Sequence, residues 1–426
     1  MRILFLSQVL PYPPDAGPRV KTWNVLRFLV ERGHDVSLAC FLRAEEIPHL
    51  GEVERVCEQV VTVPMKRSRF ADSAYWLRSR LTGRPFLVER DGLRRMQTSV
   101  DALLRNGAFD VLHADQLPMT QFALAHSHQD QAPARIFDAH NATWVILRQM
   151  IQGAPALLRP AIAAETRSVR RYEGRAVRSF DRTLAVSQED RLKLLEAAND
   201  EDANESIDAG RVEVVPISID TERLQPVPKA TGAQLILAIG SMHYAPNAEG
   251  IRWFLRHVLP LVQRQLPGAR VRVVGKNPPS DFLAMQNDSA GAIEVAGYLP
   301  SLTPSFEQAA VLVVPVLSGS GMRVRILEGL ARGLPIVTTS VGVEGIKARD
   351  EQELLIADKP EAFAAAVCRL LNQKDLRWRL AEAGRALAVS RYDYRVALAG
   401  LESVYTDARR IRVRLAPSQV SMARSH

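Results

Sequence analysis

Short apolar runs alternate with longer stretches of helical periodicity along the whole 426-residue chain, and this alternation most limits its possible folds. The run RILFLSQ at 2–8 has the length of a strand, whereas the apolar residues of 20–32 repeat with the period of a helix that ends at Gly33. Strands that alternate with helices form βαβ units around a parallel sheet. The sequence therefore predicts an α/β fold.

The alternation stops once and then restarts. Residues 199–210 are polar and predict a loop, and residues 221–230 are rich in Pro, Lys and Thr. The predicted strands before this break are 2–8, 35–41, 60–63, 109–113, 135–138, 182–186 and 212–215, and those after it are 235–240, 270–275, 293–297, 310–315, 335–338 and 354–356. The predicted helices are 20–32, 189–198 with Ser187 as its N-cap, 248–265, 360–372, 376–389 and 395–409.

A chain of this length exceeds the size at which single cores stop growing, so two domains are expected. We place a Rossmann-like N-terminal domain at 1–217 and a second at 218–394. A last helix at 395–410 is expected to pack back on the first domain, and 411–426 is expected to be a tail. Ligands bind outside the carboxyl ends of strands in open α/β sheets, which makes a cleft between the two domains the expected active site.

Cysteine usage and apolar run lengths indicate a cytoplasmic protein. The three cysteines (Cys40, Cys57 and Cys368) are odd in number and far apart, which argues against a disulfide framework or a zinc site and predicts buried apolar thiols. No apolar run reaches the roughly 18–20 residues that span a bilayer. The opening stretch resembles a signal peptide superficially, but it breaks at Pro11 and is interpreted as a strand.

The net charge of +8 favours anionic ligands or an anionic membrane surface without deciding between them. Arginines cluster at 66–81, interleaved with aromatic residues and leucines, and again at 167–182. Such stretches are either solvated helix faces or, for 66–81, an interfacial helix on the inner face of the plasma membrane. No recognised nucleic-acid module is present, so no nucleic-acid partner is expected.

The segment most informative about chemistry is SGSGMRVRILEGLARG at 318–333. A glycine-rich loop that follows a buried strand and opens a helix presents free backbone N–H groups and a positive dipole end to a phosphate. Arg323 and Arg325 fall in the first turn, where the dipole alone disfavours cations, so a bound diphosphate would explain them. Glu328 follows one turn later and could accept sugar hydroxyls. Ordinary ion pairing within the helix is the alternative.

The segment 318–345 closely resembles the signature of the retaining glycosyltransferases of family 4, which share the GT-B fold of two Rossmann-like domains facing each other across a cleft. Further segments agree: PPDAG at 13–17, FDVLHADQ at 109–116, LAVSQED at 184–190, VVPISID at 214–220, AIGSMHYAPN at 238–247 and VAGYLPSL at 295–302. A nicotinamide dehydrogenase is disfavoured, because the first strand leads into PYPPDAGP rather than G-x-G-x-x-G.

The resemblance implies roles for individual residues. On the donor side, Gly17 and Gly321 let the backbone approach phosphate, Arg323 and Arg325 bind the diphosphate, Glu328 binds the ribose, and Gly297 and Tyr298 meet the base. Asp115 stands where many members place a histidine beside the transferred sugar, and His113 faces the same side of its strand. Asp15 and His140 are candidates for contact with the acceptor, although Asp15 could instead cap a helix and His140 could bond local backbone.

Three positions depart from the family pattern. Ser320 replaces the first glutamate of the family's pair, Ser241 and Asn247 replace an Arg and a Lys, and Asp115 replaces the histidine. Because of the second departure, Arg323 and Arg325 are expected to bind the phosphates, with a contribution from Lys276. Ser241 and Ser320 remain in the predicted donor site.

The resemblance therefore predicts transfer of a sugar, with retention, from a nucleotide-diphosphate sugar to a saccharide or lipid-linked acceptor. The expected setting is cell-surface polysaccharide synthesis, and no cofactor or metal is expected. Two alternatives remain: a catalytically inactive scaffold in a polysaccharide assembly complex, and a nucleotide-sugar 2-epimerase, which would act without an acceptor.

Overall fold

A computed structural model describes residues 1–126, 132–201, 206–228, 234–242, 244–319 and 321–415. The chain divides into two compact units. The N-terminal unit comprises Met1–Pro216 together with the described residues from Leu398 on, and the C-terminal unit comprises Ile217–Ala397. Each unit contains one parallel β-sheet, so the predicted α/β fold is confirmed.

The sheet of the N-terminal unit has seven parallel strands in the order β3-β2-β1-β4-β5-β6-β7. They are β1 (Arg2–Ser7), β2 (Asp35–Leu42), β3 (Gln59–Pro64), β4 (Val111–Asp115), β5 (Ala134–Ala139), β6 (Arg182–Ala185) and β7 (Val212–Val214). The central strands are buried on both faces, which explains their nearly continuous apolar runs. The strand order reverses between β1 and β4, so the switch point of this sheet lies at their carboxyl ends.

Nine helices connect these strands in the described part of the N-terminal unit. They are α1 (Gly17–Glu31), α2 (Leu50–Glu54), α3 (Arg69–Thr82), α4 (Phe86–Asp91), α5 (Arg94–Asn106), α6 (Thr120–Leu124), α7 (Thr143–Gly153), α8 (Arg159–Ser179) and α9 (Gln188–Glu201). Short 3₁₀ turns occupy Ala44–His49, Leu117–Met119 and Ala209–Arg211. Trp144, Phe137 and Phe180 are among the large side chains of the core beneath them.

The sheet of the C-terminal unit has six parallel strands in the order β10-β9-β8-β11-β12-β13. They are β8 (Leu235–Ile239), β9 (Arg270–Val274), β10 (Ile293–Gly297), β11 (Val311–Val314), β12 (Ile336–Thr338) and β13 (Leu355–Ile356). The order reverses between β8 and β11, which sets a second switch point.

Eight helices accompany the second sheet in the described residues, around a core that contains Phe254, Phe282 and Phe363. They are α10 (Ala245–Trp253), α11 (Leu259–Gln265), α12 (Ser280–Asp288), α13 (Thr303–Gln308), α14 (Val324–Ala331), α15 (Pro360–Asn372), α16 (Lys374–Leu387) and α17 (Tyr394–Ala397). The chain then returns to the N-terminal unit as α18 (Leu401–Leu415).

Several predicted boundaries change in the structure. The predicted helix 248–265 is interrupted by a π-helical turn at Phe254–Val258, because Pro260 has no N–H to donate to the carbonyl of Arg256. The predicted helix 395–409 is two helices, α17 and α18, with Gly400 between them. Residues 411–415 of the predicted tail continue α18, and 416–426 lie outside the described residues.

Two local predictions are confirmed. The Ser187 hydroxyl caps α9, accepting a hydrogen bond from the Asp190 backbone N–H at 3.0 Å. Cys40, Cys57 and Cys368 are buried free thiols. No helix in the described part of the chain combines the length and apolarity needed to cross a membrane.

Candidate active site

The glycine-rich turn after β11 depends on two residues that only glycine suits well. Gly319 and Gly321 have φ angles of 111° and 84°, in the left-handed region that side chains disfavour. A Cβ atom on Gly319 would lie 3.0 Å from the Arg323 guanidinium and 3.2 Å from the Tyr244 hydroxyl. The turn therefore packs its backbone directly against two polar side chains. Ser320, between the two glycines, lies outside the described residues.

Two guanidinium groups gather at the N-terminus of α14. Arg323 is the N-cap residue, and its Nη1 donates to the Gly321 carbonyl at 2.7 Å. Arg325 pairs with Glu328 one turn on, with Nη1 and Oε2 2.5 Å apart, and Glu328 is buried. The helix dipole is positive at this end and disfavours cations. Glu328 offsets the charge of Arg325, and a bound anion would offset both the dipole and the charge of Arg323. The arrangement suits a phosphate group.

Tyr244 completes this cluster from the neighbouring loop after β8. Burial raises the pKa of its hydroxyl, and the Arg323 charge opposes that rise. Because β8 and β11 flank the strand-order reversal, Tyr244, Gly319 and Arg323 lie at the switch point of the second sheet. This is where open α/β sheets bind their ligands.

The other predicted donor residues described in this unit lie along the same edge of the sheet. The Ser241 carbonyl accepts from the Tyr244 backbone N–H at 3.2 Å, so Ser241 belongs to the same loop. Lys276 follows β9 and lies over the Tyr298 ring, 4.3 Å from its centre. Gly297 ends β10 with a φ of 66°, and its carbonyl accepts from the Gly275 N–H at 2.8 Å. Lys276 and Tyr298 are thus brought together at the ends of β9 and β10.

Asp115 is the centre of a hydrogen-bonded group at the switch point of the first sheet. Its Oδ1 accepts from His140 Nε2 at 2.6 Å, and its Oδ2 accepts from the hydroxyls of Thr22 at 2.9 Å and Ser7 at 3.3 Å. Asp115 is completely buried and His140 is nearly so. Because the carboxylate can only accept, the His140 proton lies on Nε2. Asp115 thereby fixes the orientation and tautomer of His140.

A second buried group lies beside it and contains His113. Lys21 forms an ion pair with Asp138, His113 Nε2 lies 3.5 Å from Asp138 Oδ2, and His113 Nδ1 lies 2.6 Å from the Tyr405 hydroxyl of α18. His113 also stacks on Phe5. Burial opposes ionisation of Asp138, but the Lys21 ammonium and the two nearby histidines hold its pKa well below the usual range. Burial and nearby carboxylates raise the pKa of Tyr405.

His113, Asp115 and Asp138 are the one group with metal-ligand spacing among the described residues, with ligand atoms within 4.8 Å of one another. Lys21 already balances the charge of Asp138, and His140, Thr22 and Ser7 engage Asp115. A divalent cation would have to displace these partners. The donor set therefore fits a closed polar network better than a metal centre.

The predicted residues of the first loop lie at the start of α1. Gly17 is its first residue, and Ala16 is the N-cap residue. Asp15 pairs with Arg19 at 3.0 Å. The interpretation of Asp15 as a helix cap is therefore wrong, and its contact with an acceptor stays a prediction.

Sequence analysis missed Ser7, Lys21 and Thr22, which hold Asp115 and Asp138 in place. One signal was available: Lys21 and Thr22 are polar residues next to the apolar stripe of a helix, and both are buried. Buried polar side chains need partners, so such residues point to a polar network.

Each unit thus carries a polar site at the switch point of a parallel sheet, which defines a two-domain, Rossmann-like ligand-binding protein. Comparison with known families agrees. Residues 16–217 match a family model described as a glycosyl transferase 4-like domain, and residues 233–373 match one described as glycosyl transferases group 1. The chain belongs to the GT-B glycosyltransferases.

Individual relatives are distant. An uncharacterized 44.6 kDa protein in the cps region of Klebsiella pneumoniae is 22% identical over 381 residues, which cover 85% of this chain and 89% of the relative. The Anabaena protein Alr3699/HepE, solved in complex with UDP, superposes with a TM-score of 0.68 at 12% identity, covering 95% of this chain and all of that one. WaaG, a glycosyltransferase involved in lipopolysaccharide biosynthesis, gives a TM-score of 0.63 at 14% identity, covering 94% and 99%.

Proposed function

We propose that this enzyme transfers a sugar, with retention of configuration, from a nucleotide-diphosphate sugar to a saccharide or lipid-linked acceptor in cell-surface polysaccharide synthesis. The observation that carries the proposal is the turn from Gly319 to Arg323, which places two left-handed glycines and a guanidinium at the N-terminus of α14. Backbone N–H groups, a positive helix end and arginine together suit a diphosphate.

In this proposal, the donor lies along the carboxyl edge of the second sheet. Arg323 and Arg325 bind the diphosphate, with Lys276 as a helper and with Gly17, Gly321, Ser241 and Ser320 as further donor contacts. Glu328 binds the ribose: Arg325 holds its Oε2, which leaves Oε1 to accept from hydroxyl groups. The backbone of Gly297 and Tyr298 meets the base, where the strand end is exposed.

The proposed reaction needs neither a cofactor nor a metal ion. The bond between the anomeric carbon and the diphosphate breaks through an oxocarbenium-like transition state. An oxygen of the departing diphosphate takes the proton of the acceptor hydroxyl, whose oxygen then bonds to the anomeric carbon on the same face. Arg323, Arg325 and the N-terminus of α14 stabilise the charge that develops on the leaving group.

The pair formed by Asp115 and His140 is proposed to lie beside the reacting sugar. Asp115 is buried and engaged on both oxygens, so we assign it to orienting His140, which is also the predicted acceptor residue. His113 is enclosed by Phe5 and Tyr405, which favours a supporting role for it behind Asp138. Asp15 remains a proposed contact to the acceptor.

The relatives support the choice of substrates. HepE was solved with UDP, WaaG acts in lipopolysaccharide biosynthesis, and the Klebsiella relative lies in a cps region. These are properties of those proteins, and they make UDP-sugars and surface-glycan acceptors the first compounds to test. We further propose that the enzyme works on the cytoplasmic side, in peripheral contact with the inner membrane, since α3 exposes Phe70, Trp76, Leu77 and Leu81 among arginines.

The test is nucleotide release from a panel of UDP-, GDP- and ADP-sugars, measured with and without a membrane extract from polysaccharide-producing cells. We expect nucleotide release that depends on the acceptor. NMR should show an α-linked product when the donor is α-linked. Conversion of the free donor without acceptor would identify an epimerase. Nucleotide binding without any turnover would favour the scaffold.

A further inference from the structure

Gln116, the residue that follows β4, has a backbone conformation that side chains strongly disfavour. Its φ and ψ angles are 73° and 157°. Residues other than glycine hardly ever adopt this combination, because the Cβ atom clashes with the backbone. The next element is the short 3₁₀ turn at Leu117–Met119. The chain therefore leaves the carboxyl end of β4, directly after Asp115, through a strained residue.

Hydrogen bonds on both sides hold Gln116 in this conformation. Its N–H donates to the Asp138 carbonyl at 2.9 Å, and its carbonyl accepts from the Met119 N–H at 3.1 Å. Strained backbone persists where the surrounding structure fixes it in this way, and it concentrates at active sites and ligand contacts. Glycine could form the same two hydrogen bonds without strain. The backbone alone therefore does not account for a glutamine at this position.

The side-chain amide of Gln116 adds a second unfavourable feature. Its Nε2 is buried and has no hydrogen-bond partner in the described structure. A buried donor without an acceptor is destabilising, and native proteins keep few of them. Gln116 as a whole is only partly buried, and χ3 of a glutamine rotates over a broad range. The amide can therefore turn toward the surface and donate to an oxygen of a bound molecule.

The surroundings of Gln116 indicate the chemistry of that molecule. β4 pairs in parallel with β1 at the point where the strand order reverses, so Gln116 lies at the switch point of the first sheet. Asp115, the preceding residue, is bonded to His140, which is the proposed acceptor residue. A neutral amide both donates and accepts, as a hydroxyl group does, whereas a phosphate is bound best by charged donors. A sugar hydroxyl is therefore the expected partner.

We propose that Gln116 is a specificity-determining residue that donates a hydrogen bond from Nε2 to a hydroxyl group of the acceptor saccharide. The strained backbone fixes the point at which the amide leaves the sheet, next to the pair formed by Asp115 and His140. Acceptors that lack this hydroxyl group leave the amide without a partner and are used less well. The inference rests on the proposed transfer to a saccharide acceptor and adds a residue that selects among acceptors.

Kinetics with a varied acceptor test the proposal. The full-length wild type, Gln116→Gly and Gln116→Ala are assayed with the identified nucleotide sugar at saturation and a dilution series of the membrane-extract acceptor. Both variants lack the amide, so kcat/KM for the acceptor should fall by the same factor. That factor should be about two- to tenfold, the contribution of one neutral hydrogen bond. The KM for the nucleotide sugar should not change.

Thermal unfolding separates substrate binding from folding. Gln116→Gly relieves the backbone strain, so its melting temperature should equal that of the wild type or exceed it by up to about 4 °C. Gln116→Ala keeps a Cβ atom and should melt below Gln116→Gly. Ala290→Gly is the control: Ala290 also has a positive φ, of 49°, and is exposed in the C-terminal unit. This control should leave the acceptor kinetics unchanged.

Four outcomes would overturn the proposal. The first is wild-type turnover with the same acceptor kinetics in both Gln116 variants, which would leave the proposed function intact. The second is a loss confined to the KM for the nucleotide sugar, because Gln116 would then contact the donor. The third is a lower melting temperature for Gln116→Gly together with lower activity, which would give Gln116 a role in folding. The fourth is the absence of acceptor-dependent turnover by the wild type, which would overturn the proposed function as well.

Discussion

At the scale of single residues, the arrangement of Asp115 and His140 indicates different roles for the two side chains. Both oxygens of the buried Asp115 carboxylate accept hydrogen bonds, from His140, Thr22 and Ser7, so we assign it to holding the imidazole instead of facing a substrate. His140 keeps Nδ1 for another partner, because Nε2 is engaged. A histidine held in one tautomer by a carboxylate is a frequent feature of reactive sites.

These different roles predict different kinetic effects for substitutions of His140 and of Thr22, which holds Asp115. His140→Gln should lower kcat by about 10²-fold or more with little change in nucleotide affinity, since proton or hydrogen-bond contacts of this kind contribute about 10²–10⁴-fold. Thr22→Val, which removes one donor to Asp115, should lower kcat by less than about tenfold. Steady-state kinetics with the identified donor measures both. Equal losses in kcat, or a His140→Gln effect confined to KM, would contradict the assignment.

The two candidate sites, one in each unit, differ in how much of them could be predicted from the sequence. Arg323, Arg325 and Glu328 could be found because strand, glycines and charges occur within one continuous segment. The pairing of Asp115 with His140 could not, because it joins the ends of β4 and β5, 25 residues apart, and depends on side-chain rotamers. The sequence showed that Asp115 stands where many members of the family place a histidine. It did not show that His140 is the partner of Asp115.

At the scale of elements, close backbone packing positions the loops of the second site. A Cβ atom on Gly250 of α10 would lie 1.8 Å from the Pro315 carbonyl, at the end of β11. Glycine at this position lets α10 approach the strand that precedes the turn from Gly319 to Arg323. The role of Gly250 is therefore close packing, since its φ is not in the left-handed region.

Gly250→Ala should lower stability by about 2 kcal/mol or more through overpacking, equivalent to a fall of about 4–8 °C in the melting temperature. Gly51→Ala is the matched control, because its Cβ would meet open space in α2. It should leave stability unchanged or raise it by up to about 1 kcal/mol. Two variants with the same melting temperature would show that the close approach of α10 is not required.

A buried acid of α8, Glu173, contacts the N-terminus of α7 and ionises in the neutral pH range. Glu173 accepts from the backbone N–H groups of Thr143 at 2.8 Å and Trp144 at 3.0 Å. Complete burial nevertheless raises its pKa to about 7. Between the unfolded value near 4.5 and about 7, the folded chain holds a proton that the unfolded chain has lost, so stability falls as pH rises through this range.

Glu173→Gln should remove this dependence. From pH 4.5 to 8, the free energy of unfolding of the wild type should fall by on the order of 3 kcal/mol more than that of the variant. Urea unfolding at several pH values measures the difference. Parallel curves for the two proteins would show that the pKa of Glu173 is the same in the folded and the unfolded chain.

Helix interruptions show why element boundaries were the weaker part of the sequence prediction. The apolar period of 248–265 continues through Pro260, and only the missing N–H of proline reveals the π-helical turn at Phe254–Val258. The parallel strands were easier to place, because burial on both faces makes them short apolar runs such as 310–315.

At the scale of the whole molecule, the N-terminal unit is discontinuous in sequence. The helix α18 supplies Tyr405, which is fully buried and bonded to His113. A last helix at 395–410 was expected to pack back on the first domain. Local patterning alone carries no information on which sheet a helix packs against. Completion of the N-terminal unit thus depends on residues that follow the C-terminal unit in the sequence.

Tyr405→Ala should therefore destabilise the N-terminal unit by about 3–5 kcal/mol, because it leaves a cavity and removes the partner of His113. Hydrogen exchange should show faster exchange in β1, β4 and β5 and little change in the strands of the C-terminal unit. Val396→Ala, at a half-exposed position of α17, is the control and should have little effect. Faster exchange confined to the C-terminal unit would contradict the assignment of α18.

The central claim is that the turn from Gly319 to Arg323 holds the diphosphate of the donor, and nucleotide titration calorimetry tests it most directly. We expect one nucleoside diphosphate, with UDP as the first candidate, to bind the wild type and Arg270→Gln equally. Arg323→Gln should bind it at least about tenfold more weakly, since a hydrogen bond to a charged group contributes about 1.5–3 kcal/mol. Undiminished binding by Arg323→Gln, or no binding of any nucleotide by the wild type, would contradict the claim.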